Sequence, residues 1–74
     1  MSISKQEAEE LAEKFASVVL RRTVLRKNIR VEKSGDNWKV EIETTPTIIG
    51  EPKERIRFDI EKDGRIGAWK TTSI

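Results

Sequence analysis

Apolar residues recur along this chain first with a helical period and then with a strand period. Ala8, Leu11, Ala12, Phe15, Val18 and Val19 fall three and four residues apart, so one stripe faces a core while Glu9, Glu10, Glu13 and Lys14 face water. Ahead of them, Ser4 to Glu7 has the capping-box form S-x-x-E, in which the serine oxygen accepts from the Glu7 amide and the glutamate reaches back. A helix therefore starts at that serine. The stripe fails at Arg22, which predicts a helix end between Leu20 and Lys27; Leu25 either extends the stripe or joins Ile29 and Val31 in a strand.

From residue 29 onward the period is two: Ile29 and Val31, then Trp38, Val40 and Ile42, then Ile56, Phe58 and Ile60 alternate with polar residues. Ser34 to Asn37, around Gly35, and Lys62-Asp63-Gly64 supply tight turns, so both flanking pairs read as hairpins. A two-residue Gly35-Asp36 loop sets Val31 opposite Val40 and Ile29 opposite Ile42, with Arg30 facing Glu41 and Glu32 facing Lys39 on the outer side. Pairing Val40 with Phe58 sets Lys39 against Asp59, Glu41 against Arg57 and Glu43 against Arg55. Every outward pair has opposite signs, and a one-residue slip would invert the faces, so the pattern specifies register.

The last hairpin has two readings. A type I turn with Gly64 left-handed pairs Glu61 with Arg65 and buries Ile66 and Ala68, leaving Trp69 outside beside Arg57. A two-residue Asp63-Gly64 loop buries Trp69 instead. The first is preferred because it keeps Ile66 inside. Residues 1–74 then form a single α+β domain, one N-terminal helix packed on a four-stranded antiparallel meander of order 1-2-3-4, whose other face is a checkerboard of charges.

A domain this small buries apolar area that barely exceeds the conformational entropy lost, so its stability is marginal or borrowed. The chain contains no cysteine, hence no disulfide and no thiolate metal site, which fits a cytoplasmic location. Its longest apolar run, Val18 to Leu20, is far too short for a membrane span, and the N-terminus lacks the apolar core of a signal peptide. Charged residues reach 38% with both signs mixed, but the periodic apolar positions argue against disorder.

Charge is uneven along the chain. Arg21, Arg22, Arg26, Lys27 and Arg30 put five cations and no acid into ten residues, while residues 1–20 sum to −2 and residues 31–74 to −1. Basic groups near a helix C-terminus complement its dipole and cap free carbonyls, which is the ordinary structural cause of such a cluster. Five exceed what a dipole requires, so an acidic protein, a lipid headgroup or nucleic acid phosphates are the alternative partners. Nucleic-acid binding also calls for an aromatic platform, for which Trp69, near Arg55, Arg57, Arg65 and Lys70, is the candidate.

Catalysis is disfavoured because histidine, cysteine and tyrosine are all absent. Glu41, Glu43, Asp59 and Glu61 share a sheet face and offer oxygen ligands, but their basic cross-strand neighbours favour a solvated checkerboard over a metal site. No cofactor, metal or small-molecule substrate is implied. The connection Thr44 to Lys53, TTPTIIGEPK, is long for a hairpin and carries Ile48 and Ile49 at its tip. These two either mark an interaction site or fold back over the core. Leu20 and Val24, off the main stripe, are a dimer contact or an extension of the core.

Asn37-Trp38-Lys39-Val40-Glu41-Ile42, followed by Ile56-Arg57-Phe58-Asp59-Ile60-Glu61-Lys62-Asp63-Gly64, resembles two families. One is the PepSY-like group of helix-plus-sheet modules, with a W-x-V strand before a strand ending in D-x-x-G or D-G. The other is the gas-vesicle accessory protein O family, with G-W-x-V-x-V-E before a proline loop and a strand ending in D-x-D-G. The likeness covers roughly Asn37 to Lys70; Asn37 stands in place of the glycine, and Arg57 or Phe58 in place of a common tyrosine. It implies binding, inhibition or assembly. The expectation is a noncatalytic protein-binding or assembly module, with self-association included, acting through the loop of Ile48 and Ile49, the basic segment, or both. The alternative is a nucleic-acid-binding domain centred on residues 21–30.

Overall fold

The computed structural model describes residues 2–74. A helix, α1 (Lys5–Lys14), continues through one wider turn, Phe15–Val19, and is followed by strands β1 (Ile29–Ser34), β2 (Asn37–Glu43), β3 (Glu54–Ile60) and β4 (Ile66–Ser73). The strands form one antiparallel sheet in the order β1-β2-β3-β4, with α1 lying over β1 and β2. The fold is α+β, as the two periods predict. Among the described residues no helix is long and apolar enough to cross a membrane.

The capping box forms at the predicted serine: the Glu7 amide donates to Ser4 Oγ at 3.2 Å and the Ser4 amide to Glu7 Oε1 at 3.1 Å. The helix end departs from the expected stripe. Ser17 Oγ donates to the Glu13 and Lys14 carbonyls, back-bonding that competes with the helical ladder. Beyond it the Leu20 amide reaches back five residues to Phe15 O (3.2 Å) and the Arg22 amide six, to Ala16 O (3.0 Å). The widened turn delays the phase by a residue. Val18 and Val19, expected on the core face, are consequently 62% and 59% exposed, while Ala16 is buried and Leu20 and Val24 pack against the core. Of the two readings for Leu20 and Val24, core extension is the one found. Arg21 closes the helix in the left-handed region at φ 54°, where glycine is the usual residue. Leu25 joins neither helix nor strand; it precedes a single 3₁₀ turn, Arg26–Asn28, and is 40% exposed.

The first two strand pairs have the predicted register throughout, including Val31 with Val40, Val40 with Phe58 and all five outward pairs of opposite charge. Gly35 alone supplies the positive φ (62°) of the two-residue turn, the glycine-first pattern of a II′ hairpin. In the last hairpin Gly64 is left-handed at φ 96° and the Glu61 amide bonds Arg65 O at 2.7 Å, as the preferred turn requires. A bulge then intervenes. Ile60 pairs with Ile66 but Asp59 pairs with Ala68, so Gly67 is the extra residue and the alternation of β4 reverses after it. Ile66 stays inside as expected. Ala68, expected to be buried, lies on the outer face, and Trp69, expected outside beside Arg57, lies opposite Phe58 on the helix side.

The core is Val40, Ile42, Ile56, Phe58 and Ile60 beneath Ala8, Ala12 and Ala16. Three alanines on the buried stripe bring the helix backbone close to the sheet, so the large side chains come from the strands. Phe15 meets Phe58 edge-on with ring centres 5.6 Å apart. At the turn end, Ile3 donates its amide to Lys62 O and accepts from Trp38 Nε1, tying the segment before α1 to both hairpins. Lys33 Nζ sits 4.4 Å above the Trp38 ring.

Candidate functional site

Hydrogen bonds reaching far along the chain build the loop between β2 and β3. Thr44, the one buried polar side chain among the described residues, donates its amide to Glu54 O and accepts the Glu54 amide on Oγ1, both at 2.9 Å. The next residues dock on the stretch that leaves the helix: the Thr45 amide bonds Thr23 O at 2.9 Å, the Thr23 and Thr47 hydroxyls are 3.3 Å apart, and Asn28 Nδ2 donates to Thr45 Oγ1. The tip is a four-residue turn. The Glu51 amide bonds Ile48 O at 3.0 Å, Gly50 takes φ 91° at the third position, and the Glu51 carboxylate accepts the Thr47 amide at 2.8 Å. This is a type II turn, with the glycine where that turn demands positive φ.

Ile49 occupies the second corner of the turn and is fully exposed; Ile48 is 71% exposed. Neither folds back over the core; both project into water. Both loop arms are polar and hydrogen-bonded, and the apolar pair is held outward by them. Beside the loop base lies an open groove of about 290 Å³ lined by Leu25, Pro46, Lys27, Lys53 and Glu43 among others.

The basic segment does not form one patch. Arg22 turns to β3, where its Nε meets Glu54 Oε1 at 2.5 Å across 32 residues of sequence. The hydrogen bond and charge of Glu54 raise the pKa of the Arg22 guanidinium above its ordinary value. Arg26 folds back on α1, 3.3 Å from Glu13 and 4.0 Å from Glu10. Arg21, Lys27 and Arg30 have no acidic partner within salt-bridge distance among the described residues. The stretch from Arg21 to Leu25 runs against the loop through Thr23, so this part of the basic segment and Ile48-Ile49 occupy the same end of the molecule.

Trp69 is elsewhere. On the helix side of β4 it stacks at a tilt on Phe15, with centres 5.6 Å apart, and remains 46% exposed. Among the described residues, therefore, none places an aromatic ring on the outer sheet face. It is a shallow depression of about 400 Å³, bordered by Arg30, Lys39, Arg57, Lys70, Glu41 and Asp59 among others. Glu41 is shared by Arg55 and Arg57, both at 3.3 Å, and Glu43 is taken by Lys53 instead of its cross-strand neighbour Arg55. These half-exposed pairs contribute at most about 1 kcal/mol each. Among the described residues no three carboxylates converge as a metal site.

No protein-family model matches this chain, and no curated protein or solved structure matches it either. Its function has to be inferred from the chemistry of its own surface. The residues that sequence reasoning missed are the clamp of Thr23, Thr45, Thr47 and Glu51, which fixes the direction of Ile48 and Ile49. The only signal for it was the density of threonines on the loop arm, and their partner Thr23 lies in another part of the chain.

Proposed function

We propose that this chain is a small noncatalytic protein-binding or assembly module whose binding element is the Thr44 to Lys53 loop. Ile48 and Ile49 insert into an apolar pocket of a partner protein, while Arg21 and Lys27, without acids of their own, favour a partner with acidic groups around that pocket. The observation that supports this most is a fully exposed Ile49 on a turn whose arms are hydrogen-bonded to Thr23 and Glu51. A loop already ordered forfeits less entropy on binding than a flexible one. The resemblance to the PepSY-like and gas-vesicle accessory families points the same way, and a cysteine-free chain suits a cytoplasmic partner.

The nucleic-acid alternative is weakened by the dispersal of the cations and by Trp69 facing the helix side. The two readings separate by salt. A complex held by several phosphate contacts weakens by orders of magnitude between about 50 and about 200 mM salt, whereas one anchored by two isoleucines retains most of its affinity. The direct experiment is affinity enrichment with the wild-type chain and with I48S/I49S at the higher salt. The reading expects a protein held by the wild type and released by the double variant; equal retention by both would overturn it.

A further inference from the structure

The two edges of the sheet are built differently. β1 carries Arg30, Glu32 and Lys33 among its six residues, the kind of charged edge that discourages strand addition. β4 runs for eight residues with Lys70 as its sole charge and no proline. Strand order leaves its far side open, and among the described residues no loop backbone bonds to it there. The layer above is open as well. Because α1 covers β1 and β2, the helix-side residues Trp69, Thr71 and Ser73 of β4 are exposed. The widened helical turn adds Val18 and Val19, one turn beyond the Phe15 that holds Trp69.

From these features we infer that β4 is a self-association edge, along which two copies of this chain pair antiparallel over residues 68–74 and join their sheets. The occupant is a second copy because the strand is complementary to itself in the register that uses all of residues 68–74. A two-fold axis through Thr71 sets Lys70 against Thr72 of the second copy, Trp69 against Ser73 and Ala68 against Ile74, each pair on one face. An axis through Lys70 would stack two lysines, and one through Trp69 would carry both strands into the Gly67 bulge. An interface of standard size buries about 800 Å² per partner, more than a strand edge alone supplies. Trp69, Val18, Val19 and Ile74, 46%, 62%, 59% and 60% exposed, provide apolar surface for the remainder. This inference is independent of the loop, which lies outside the paired residues.

Sedimentation of the full chain from about 1 μM to about 1 mM, the range of micromolar to millimolar dissociation constants, tests it. The expected mass rises from 8.5 kDa toward about twice that value. Thr71→Lys and Thr71→Glu each place like charges face to face in the pair at a position exposed in the single chain, so each variant alone stays at 8.5 kDa and an equimolar mixture of the two regains the doubled mass. Thr72→Glu, facing Lys70 of the second copy, tightens association and tests the same register from the other face. I48S/I49S keeps the dimer, which separates this proposal from the loop reading. A wild type of constant single-chain mass overturns it, as does a Thr71→Lys variant that dimerises like the wild type. So does a β4 whose amides gain exchange protection only when a different protein is added, which would make the edge a site for a foreign strand.

Discussion

At the end of the sheet that carries Gly35 and Gly64 the connections are short, and Ile3, Leu11, Trp38 and Ile66 all pack against the core. At the opposite end one long connection leaves Ile48 and Ile49 in water although Thr44, at its root, is buried. Both ends are ordered by hydrogen bonds, Ile3 to Lys62 and Trp38 at one, Thr45 and Thr47 to Thr23 and Glu51 at the other. The difference lies in what the bonds hold. At the turn end they bring apolar residues onto the core; at the loop end they hold apolar residues away from it. Folding gains little from Ile48 and Ile49, and the proposed function gives them a partner surface to cover instead.

The contrast predicts a graded response to substitution. The largest effect belongs to Phe58, 2% exposed and in contact with Phe15: Phe58→Ala should cost about 3–5 kcal/mol, a large part of the stability of so small a domain, read by urea denaturation. Thr44→Val keeps the shape but leaves the Glu54 amide without its acceptor. The expected loss is about 1–3 kcal/mol, and a smaller one would mean that the loop root is not structural. Arg21→Gly relieves a left-handed residue and should raise stability by about 1 kcal/mol, seen as a higher Tm.

A pH effect is expected at the turn end. The Arg65 amide, donating to Asp63 Oδ1 at 3.2 Å, holds the Asp63 carboxyl below its ordinary pKa. A group depressed on folding stabilises above its unfolded pKa and loses that contribution as pH falls through the folded one. Acid should therefore loosen the Lys62–Gly64 turn, read as faster exchange of the Arg65 amide, and Asp63→Ala should abolish that dependence. Smallest of all is the effect of I48S/I49S on stability, expected within about 0.5 kcal/mol because neither side chain is buried. A loss comparable to Phe58→Ala would erase the contrast between the two ends.

Most of the fold was legible because its signals are local or repeat along a strand. The capping box needs four residues, and the registers of β1, β2 and β3 follow from apolar alternation on one face and opposite charges on the other. Two single-residue shifts escaped that reading. Ser17, inside the widened turn Phe15–Val19, bonds its hydroxyl back to the helix, and Val18 and Val19 turn outward. Gly67 adds a residue to β4 and reverses Trp69, although a glycine inside a strand is a known mark of a bulge. The loop was legible as a candidate but not in its direction, since the bonds that aim it join Thr23 to Thr45 and Thr47. Nor does sequence spacing foretell that Arg22 finds Glu54 and Arg26 finds Glu13, which is what disperses the basic cluster.

The most direct test of the account is an amide-resolved NMR titration of the labelled chain with the protein recovered by its loop. Shifts concentrated in residues 45–51, with smaller ones at Arg21 and Lys27, are the predicted result. Shifts confined to the outer sheet face or to β4, with Ile48 and Ile49 unmoved, would contradict it.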